Sequence, residues 1–407
     1  MFKGVKKFWY RKGGKVVLGT MLSLLMNPLQ AEWKLPQSLQ IHGFVSQAFT
    51  LTTDNNFFGD SKDNGSFDFR ELGINASWRI MPKLQVAAQG VMRWAGKNDQ
   101  GDPRLDYGLV DYTFLSNTEN TWGLRLGRVI NPLGFYNDTR DVAFTRPSIF
   151  LPESIYFDRT RDLALSSDGG QIYGERRTRM GDFLFQFNIA RPRVGEQEEL
   201  ALLGGDFPGD LGGGTSFSGR LLYEKDGGVV RLGVSSFQVN FSFDSAGVPS
   251  NSPLGAGSIK FSPLIFSGQY NGERLSLTSE VALRHFNYSD FGPRIPDTDF
   301  TGLSWYFQAT YRFTPRWSAV ARFDSLCTEL GDCNGEDFAA KTGQPAHRRF
   351  ADDWMVGLRW DVTSSIMVRT EFHHIRGTAW ITTEDNPNIN DLHEDWNMFS
   401  LLVSFRF

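Results

Sequence analysis

The stretch NMFSLLVSFRF, residues 397–407, alternates between large apolar side chains and small or polar ones. The apolar parity is shared by Phe399, Leu401, Val403, Phe405 and Phe407, and the other parity holds Ser400, Ser404 and Arg406. Successive side chains of a β-strand point to opposite faces, so one face of this strand is apolar along its whole length. Lipid or a protein core has to cover that face, which makes an edge strand of a soluble sheet the weaker interpretation.

The same alternation recurs along the chain in runs of about ten residues, which is the pattern of a membrane-spanning β-barrel wall. In residues 72–80, Leu, Ile, Ala, Trp and Ile alternate with Gly, Asn, Ser and Arg. Sixteen runs of this kind are found, at residues 40–52, 67–80, 83–95, 105–115, 120–130, 169–176, 181–191, 217–224, 229–237, 257–270, 273–287, 301–313, 316–326, 350–361, 364–376 and 396–407. The sequence therefore predicts an all-β fold, a sixteen-stranded antiparallel transmembrane barrel in one domain.

The connections between these runs alternate in length. Tight turns such as Met81-Pro82, Asn271-Gly272 and Thr314-Pro315 are followed by long loops such as residues 192–216 and 377–395. Short periplasmic turns and long external loops are the rule in bacterial barrels. On this order, Trp78, Trp122, Trp317 and Trp360 lie near the turn end of their strands, and Trp94, Trp305, Trp354 and Trp396 lie near the loop end, which predicts two aromatic girdles.

The N-terminus predicts export. Residues 1–15 carry six basic side chains and no acid, residues 16–26 form an apolar run, and Leu29-Gln30-Ala31 is a small-residue cleavage site, so residues 1–31 are expected to be a signal peptide and residues 32–407 the barrel domain. Eleven apolar residues are too few to span a bilayer as a helix, which argues against a membrane anchor. Without the leader, 36 basic residues face 46 acidic ones, a net charge near −10 that argues against nucleic-acid binding.

The chain resembles bacterial outer-membrane porins. Its terminal Phe405 and Phe407 are similar to the C-terminal sorting signal of outer-membrane barrels, and the segment GRVINPLGFYNDTRDVAFTRPSIFLPESIYFD, residues 127–158, is similar to porin-like proteins of the phosphate-selective group. The resemblance implies that the third external loop, Arg128–Asp168, folds inward and narrows the pore. It also implies a homotrimer in the outer membrane of a Gram-negative bacterium, with lipid, lipopolysaccharide and the barrel assembly machinery as partners.

The predicted constriction loop is balanced in charge and stiffened by proline. It has five Arg and six acidic residues but no Lys, so a lysine-based phosphate trap is not carried over to it. Pro132, Pro147 and Pro152 restrict its backbone. Its candidate pore residues are Asp138, Arg140, Asp141, Arg146, Glu153, Asp158, Arg159 and Arg161. These ions either set the pore's selectivity or pair with one another to hold the loop in shape, since buried charges need partners.

The facing wall contributes the other half of the predicted filter. Inward parity assigns Arg93, Arg125, Glu280, Arg284, Arg322, Asp324, Arg369 and Glu371 to the middle or upper lumen. Rings of charge are a common selectivity device in pores, although lumen ion pairs that merely rigidify the wall are an equal alternative. Arg79, Arg231, Arg274, Arg312 and Arg359 also point inward near the periplasmic end, so the inward Arg excess favours a weak preference for anions.

Other chemistry has little support in the sequence. Cys327 and Cys333 are predicted to form a disulfide in an external loop, and two cysteines cannot alone hold a four-ligand zinc site. The adjacent His373 and His374 point to opposite faces of a strand and cannot chelate one metal. Asp54, Asp60 and Asp63 lack the spacing of a known calcium loop and are expected to be solvated. No local nucleophile motif is present, so neither catalysis, metal nor cofactor is predicted.

The predicted function is therefore a porin, a water-filled channel for passive diffusion of small hydrophilic solutes. Within the same class, the alternative is a substrate-specific channel for an anion, phosphate or an oligosaccharide. From other classes, the alternatives are an outer-membrane hydrolase, which needs a Ser, His and acid cluster at one height on adjacent strands, and an adhesion barrel, which does not need the third loop inside.

Overall fold

The computed structural model describes residues 38–245 and 254–407. Among these residues, eighteen strands form one continuous sheet. They are β1 Leu39–Thr52, β2 Ser66–Met81, β3 Leu84–Ala95, β4 Asp99–Gln100, β5 Arg104–Ser116, β6 Asn120–Ile130, β7 Ser166–Thr178, β8 Gly181–Pro192, β9 Asp210–Gly213, β10 Ser216–Lys225, β11 Val230–Asp244, β12 Ser258–Asn271, β13 Leu275–Ser289, β14 Thr298–Thr314, β15 Trp317–Cys327, β16 Phe350–Asp361, β17 Ile366–Gly377 and β18 Asp395–Arg406. The predicted signal peptide, residues 1–31, lies outside the described residues.

Sixteen of these strands form a closed antiparallel barrel. Each pairs with its neighbours in chain order, and β1 pairs with β18, from Phe44 opposite Arg406 to Thr52 opposite Met398. The short strands β4 and β9 only extend the wall at its upper rim, where they pair with β3 and β11. Closure satisfies the backbone of every wall strand, which a sheet edge in hydrocarbon could not. The predicted fold class is confirmed, and most predicted strand ends lie within three residues of the observed ones.

Strand β11 is the largest departure, because it runs to Asp244 rather than ending at Phe237. In its lower part, Leu232 is exposed on the outer face. In its upper part, Phe237, Val239, Phe241 and Phe243 all point inward and are buried. The apolar residues of β11 therefore lie on the outer face in the lipid and on the inner face above it. This switch interrupts the alternation in the sequence, so the strand was predicted to end there. β7 likewise starts earlier than predicted, at Ser166.

The outer face of the barrel carries an exposed apolar band, as a lipid-facing wall requires. The terminal strand contributes Phe399, Leu401, Val403, Phe405 and Phe407, each at least 39% exposed. Trp78, Trp305, Trp317, Trp354 and Trp360 are exposed as the predicted girdles require. Trp396 is the exception, because it points inward, is buried and donates to the Gly377 carbonyl.

The extracellular half of the lumen is filled by external loops that pack in two apolar clusters. One joins the first loop to the third and the last, through Phe57, Phe58, Phe150, Trp380 and Trp396. The other joins helix α2, Glu196–Leu203, to upper β11 through Leu202, Leu203, Phe241 and Phe243. Two further helices, α1 Arg161–Leu165 and α3 Glu336–Thr342, and three short 3-10 turns at Asn137–Thr139, Ala346–Arg349 and Ile389–Asp391 lie in the same loops. Within the described ranges, no helix is long and apolar enough to cross a membrane.

Deletion of Phe407 is expected to lower the yield of assembled barrel. The Phe407 amide donates to the Gly43 carbonyl at 3.0 Å and its carbonyl accepts from the Gly43 amide at 3.2 Å, so this residue completes the seam between β1 and β18. The seam has to form for the sheet to lose its edges in lipid. The measurement is the fraction of heat-modifiable protein in outer-membrane fractions, with Phe372→Ala, an exposed outward residue away from the seam, as the control. Equal yields of the two variants would show that Phe407 has no part in assembly.

Candidate functional site

The third external connection folds inward across the lumen. It spans residues 131–165, between β6 and β7, and the predicted loop ends Arg128 and Asp168 instead lie opposite each other in those strands, where their side chains form an ion pair at 2.7 Å. Gly134 lets the loop approach the wall, because its φ is +54° and a Cβ atom there would lie 2.7 Å from a Glu280 carboxylate oxygen on β13. The loop contacts the wall on three sides, at β2 and β3, at β13, and at β15 and β17.

The first set of contacts joins the loop to β2 and β3. The Arg146 guanidinium lies 2.7 Å from Glu71, and the Asp158 carboxylate lies 2.6 Å from Arg93. Arg93 also lies 3.5 Å from Glu71, so the four side chains form one network. Arg93, Arg146 and Glu71 are almost fully buried. Removing one member of a buried ion pair leaves an uncompensated charge, which typically costs about 3–5 kcal/mol.

Glu280 on β13 is the centre of the second set of contacts. Its carboxylate accepts from the Tyr156 hydroxyl at 2.5 Å and from the Phe135 amide at 2.9 Å, both in the loop. Two wall hydroxyls, of Tyr306 at 2.9 Å and Ser267 at 2.6 Å, donate to it as well. Four donors satisfy this buried carboxylate without a cation, so its role in the structure is to hold the loop rather than to face an open pore.

The third set of contacts lies on the side of β15 and β17. Arg369 donates to the carbonyl groups of Arg146 and Ser148, and Arg322 donates to the carbonyl of Phe150. Glu371 accepts from the Ile149 amide at 2.5 Å. These wall charges therefore bind the loop backbone, and the loop is tied down at points on distant parts of the wall.

The remaining predicted loop residues divide between internal and wall contacts. Arg161 pairs with Asp141 and Asp162 inside the loop, whereas Asp138 pairs with Arg220 of β10. Arg140 donates to the Tyr156 carbonyl, and the Asp324 carboxylate of β15 accepts from the Ser154 amide at 3.4 Å. Some loop ions pair within the loop, as the second interpretation expects, and others pair with the wall. Their role in selectivity stays a prediction.

The loop packs closely against the wall at β2 and β3. The space enclosed between the loop and β2 and β3 has a volume of about 30 Å³, lined by Glu71, Arg93, Arg140, Arg146 and Phe150 among others. Towards the periplasmic turns, Arg125 is partly exposed and pairs with Asp111 at 2.9 Å. The loop therefore lies across the lumen, and its role as the constriction stays a prediction.

Several members of this network were not predicted from the sequence. They are Glu71, Asp99, Asp106, Arg220, Asp353 and His373, all inward-facing and nearly buried. Glu71 and Arg220 share the inward parity that identified the other wall charges, so parity contained the signal. The path of the loop across the lumen determines which inward charges it contacts. No pattern in the sequence indicates that path.

The other candidate sites are structural. Cys327 and Cys333 form a disulfide at the rim. The His373 Nδ1 atom lies 2.8 Å from an Asp353 carboxylate oxygen, and its Nε2 atom lies 3.5 Å from Glu371. A second carboxylate thus takes the place at which a Ser-His-Asp arrangement would have its hydroxyl. Within residues 38–245 and 254–407, no group of three or more His, Cys, Asp or Glu side chains is placed to hold a metal ion.

Glu153 is expected to make the loop sensitive to pH. Burial, with the nearby Asp158 carboxylate, raises the pKa of Glu153 to about 8, and Arg140 and Asp324 are its other charged neighbours. The folded loop holds the proton more tightly than the unfolded chain, where the pKa is 4.5, so its stability declines as pH rises from about 4.5 to about 8. Open-channel current noise should therefore be larger at pH 9 than at pH 6, and Glu153→Gln should remove the difference.

The matched control for this prediction is Glu336→Gln, a change at an exposed acid in helix α3. It should keep the pH dependence of the wild type. Noise in Glu153→Gln that still rises with pH would assign the effect to another group.

Comparison with known proteins gives structural matches but no sequence family. No protein-family model and no curated protein sequence matches the chain. Among solved structures, the chain is similar to the outer-membrane channel DcaP of Acinetobacter baumannii (8% identity, TM-score 0.56, 91% of this chain and 97% of that one). It is also similar to an anion-selective porin from Comamonas acidovorans (10%, 0.56, 91% and 99%) and to a trimer form of OmpT, an outer-membrane protein of Vibrio cholerae (11%, 0.55, 91% and 99%). The chain thus has the sixteen-stranded fold of bacterial outer-membrane porins.

Proposed function

We propose that the chain forms a channel in a bacterial outer membrane through which small hydrophilic solutes diffuse passively. The observation that carries the proposal is a closed sixteen-stranded barrel, apolar outside and polar inside, whose third loop lies across the lumen. Barrels of this strand number are wide enough to leave an aqueous channel. The loop then determines which solutes pass, because it sets the narrowest point.

The preference for anions is also a proposal, and it is weak. Anion selectivity is a property of the Comamonas porin, and the inward Arg excess of this chain supports the same preference here. In the upper lumen, Arg322 and Arg369 donate to loop carbonyl groups. A guanidinium that donates to a carbonyl keeps its positive charge, so these residues still contribute a positive potential to the pore.

A second candidate, a substrate-specific channel, is favoured by the extent of loop contact. A loop held by buried ion pairs on β2 and β3 and by Glu280 on β13 leaves less free cross-section than a loop attached at one side. In such a channel, flux would saturate with solute concentration, because each solute has to displace or pass ordered groups.

Export, barrel assembly and oligomeric state are also proposals. Residues 1–31 are proposed to direct export, and Phe405 and Phe407 to direct barrel assembly at the outer membrane. A homotrimer is proposed, supported by the trimer form of the similarly folded OmpT. The apolar outer face can contact either lipid or neighbouring copies, with lipopolysaccharide at the extracellular leaflet.

Planar-bilayer recording of the purified protein tests the proposed function. Discrete conductance steps with a reversal potential of anion-selective sign under a KCl gradient are expected. A linear current-concentration relation supports the diffusion channel, and saturation supports the specific channel. Heat-modifiable electrophoretic mobility shows whether the barrel is folded. A folded barrel that gives no conductance steps would overturn the proposal, and the adhesion barrel would then be the better interpretation.

A further inference from the structure

A second cavity lies above the loop, beside the extracellular rim of β12, β13 and β14. Its volume is about 330 Å³. That is the lower end of the range of small-molecule pockets, about 300–1,000 Å³. Loop residues Phe157 and Arg159 form one side, helix α2 contributes Leu202 and Leu203, and the barrel wall forms the other side. We call this cavity the aromatic vestibule.

The wall of the aromatic vestibule is a row of stacked aromatic rings on neighbouring strands. Phe261 and Phe286, directly opposite each other on β12 and β13, have ring centroids 4.6 Å apart. Phe286 and Phe300 follow at 5.3 Å, and Tyr288 and Phe300 are nearly parallel at 6.2 Å. Because these rings stack on one another, they leave mainly their edges for a ligand. Ring edges are the positive part of the aromatic quadrupole, and they favour the face of another ring or an anion.

The charge of the aromatic vestibule has one sign. Its charged lining residues are Arg159, Arg284 and Arg349, and no carboxylate lines it. Several other lumen arginines have a carboxylate partner, namely Arg93, Arg125, Arg146, Arg161 and Arg220, whereas Arg140 and Arg369 donate to loop carbonyl groups. The lining without a carboxylate distinguishes this cavity from the space between the loop and β2 and β3, which Glu71, Glu153 and Asp158 also line.

Two of these arginines, Arg159 and Arg284, form no ion pair within 4.0 Å among the described residues. Arg284 stacks over Phe157 at 4.7 Å and makes a long hydrogen bond of 3.4 Å to the Cys327 carbonyl, and its Nε atom is buried without a hydrogen-bond partner. Arg159 makes neither a hydrogen bond nor an ion pair within 4.0 Å to the part of the chain that the structure describes, and its acidic neighbour, Glu384, does not line the cavity. Only Arg349 has a partner, Glu329 at 2.9 Å. Enclosed guanidinium groups without carboxylates are ready to bind an anion.

We propose that the aromatic vestibule binds monocyclic aromatic carboxylates and delivers them to the constriction loop. The ring of the ligand would pack against Phe286 and Phe300, and its carboxylate would accept from Arg284 and Arg159. An inorganic anion would leave the rings unused, and a neutral aromatic molecule would leave the guanidinium groups unpaired. The delivery step rests on the proposed channel function, whereas the binding step does not.

Calorimetric titration of the detergent-solubilised full chain with benzoate, benzamide and acetate tests the binding step. Benzoate should bind about tenfold or more tightly than either benzamide, which lacks the charge, or acetate, which lacks the ring. Equal affinity for benzoate and acetate would reduce the cavity to a general anion site and overturn the proposal. Binding of benzamide as tight as that of benzoate would overturn the role of the arginines.

Variants test whether the binding occurs in the aromatic vestibule. Arg284→Gln and Arg159→Gln should each weaken benzoate binding about tenfold, and Arg79→Gln, at a lumen-facing arginine near the periplasmic end, should not. Phe286→Leu, which keeps an apolar side chain but removes the ring, should weaken benzoate and leave acetate unchanged. Heat-modifiable mobility shows whether each variant is folded. If only one of the two arginine variants folds, that one decides the outcome, and an unchanged affinity in it refutes the site.

A bilayer measurement separates this inference from the proposed function. Benzoate on the extracellular side should cause transient blocks of the chloride current that disappear in Arg284→Gln. A channel that conducts but shows neither blocks nor calorimetric binding leaves the proposed function intact and refutes the aromatic vestibule. Calorimetric binding without any conductance would retain the site and refute the channel.

Discussion

Replacement of residues 138–158 by a short Gly-Ser linker is expected to raise single-channel conductance about threefold or more. The change removes the segment that crosses the lumen, including Arg146, Tyr156 and Asp158, and frees Glu71, Arg93 and Glu280 to face water. The sheet is unaffected, because those residues lie outside β6 and β7. A barrel of sixteen strands without an inward loop has the cross-section of an open aqueous channel. The measurement is single-channel recording in a planar bilayer.

The control for this deletion is removal of residues 334–344 from another external loop. These residues contain helix α3, in which no residue is buried. It shortens an external loop without touching the lumen, so conductance should stay at the wild-type value. Unchanged conductance in both variants would show that residues 138–158 do not limit the current. A rise in both would assign the effect to a general loosening of the extracellular end.

Arg93→Met is expected to destabilise the barrel by about 3 kcal/mol or more. The side chain is 4% exposed, and its replacement leaves Glu71, Asp99 and Asp158 without one of their cations. Arg146 still pairs with Glu71, but Asp158 keeps no ionic partner among the described residues. Methionine fills a similar volume, so the decrease in stability measures the loss of the charge rather than the creation of a cavity. The measurement is the urea unfolding midpoint of protein refolded into lipid vesicles.

Arg376→Met is the matched control, because Arg376 pairs with Glu394 at 2.8 Å on the exposed rim, with 61% of the Arg side chain accessible. The two pairs have similar distances and differ in burial. An exposed pair contributes at most about 1 kcal/mol, so this variant should unfold close to the wild type. If the two variants were destabilised equally, the buried network would have no special role in holding the loop.

Local alternation was sufficient to predict the wall. Residues 72–80 and 397–407 each show the period of two, and every wall strand has to show it, because one face meets lipid and the other the lumen. The prediction was wrong at upper β11, where Phe237 and Phe241 face a loop-built core instead of water. It was wrong also at Trp396, which covers the same kind of core and not a membrane interface.

The contacts of the third loop could not be predicted in the same way. Parity places Glu280 and Arg369 inside the barrel, but only the path of the loop determines that Glu280 accepts from Tyr156 and that Arg369 donates to Ser148. These pairs are separated by more than a hundred residues, and no periodic pattern connects them. The row formed by Phe261, Phe286 and Phe300 was also hidden, because it requires the register of three strands.

Alternation along the chain was enough to predict the barrel and its strand number, since both follow from a repeated local rule that lipid imposes on every strand. That the third loop lies inside was implied by the resemblance to porins and not by any such rule. Only the tertiary structure decided which charges hold the loop and which remain free. Arg93 and Arg284 have the same chemistry and the same inward parity, yet the first lies among three carboxylates and the second stacks over Phe157 with none. Electrostatic partners are set by distance in space, and the fold brings them together independently of any local pattern.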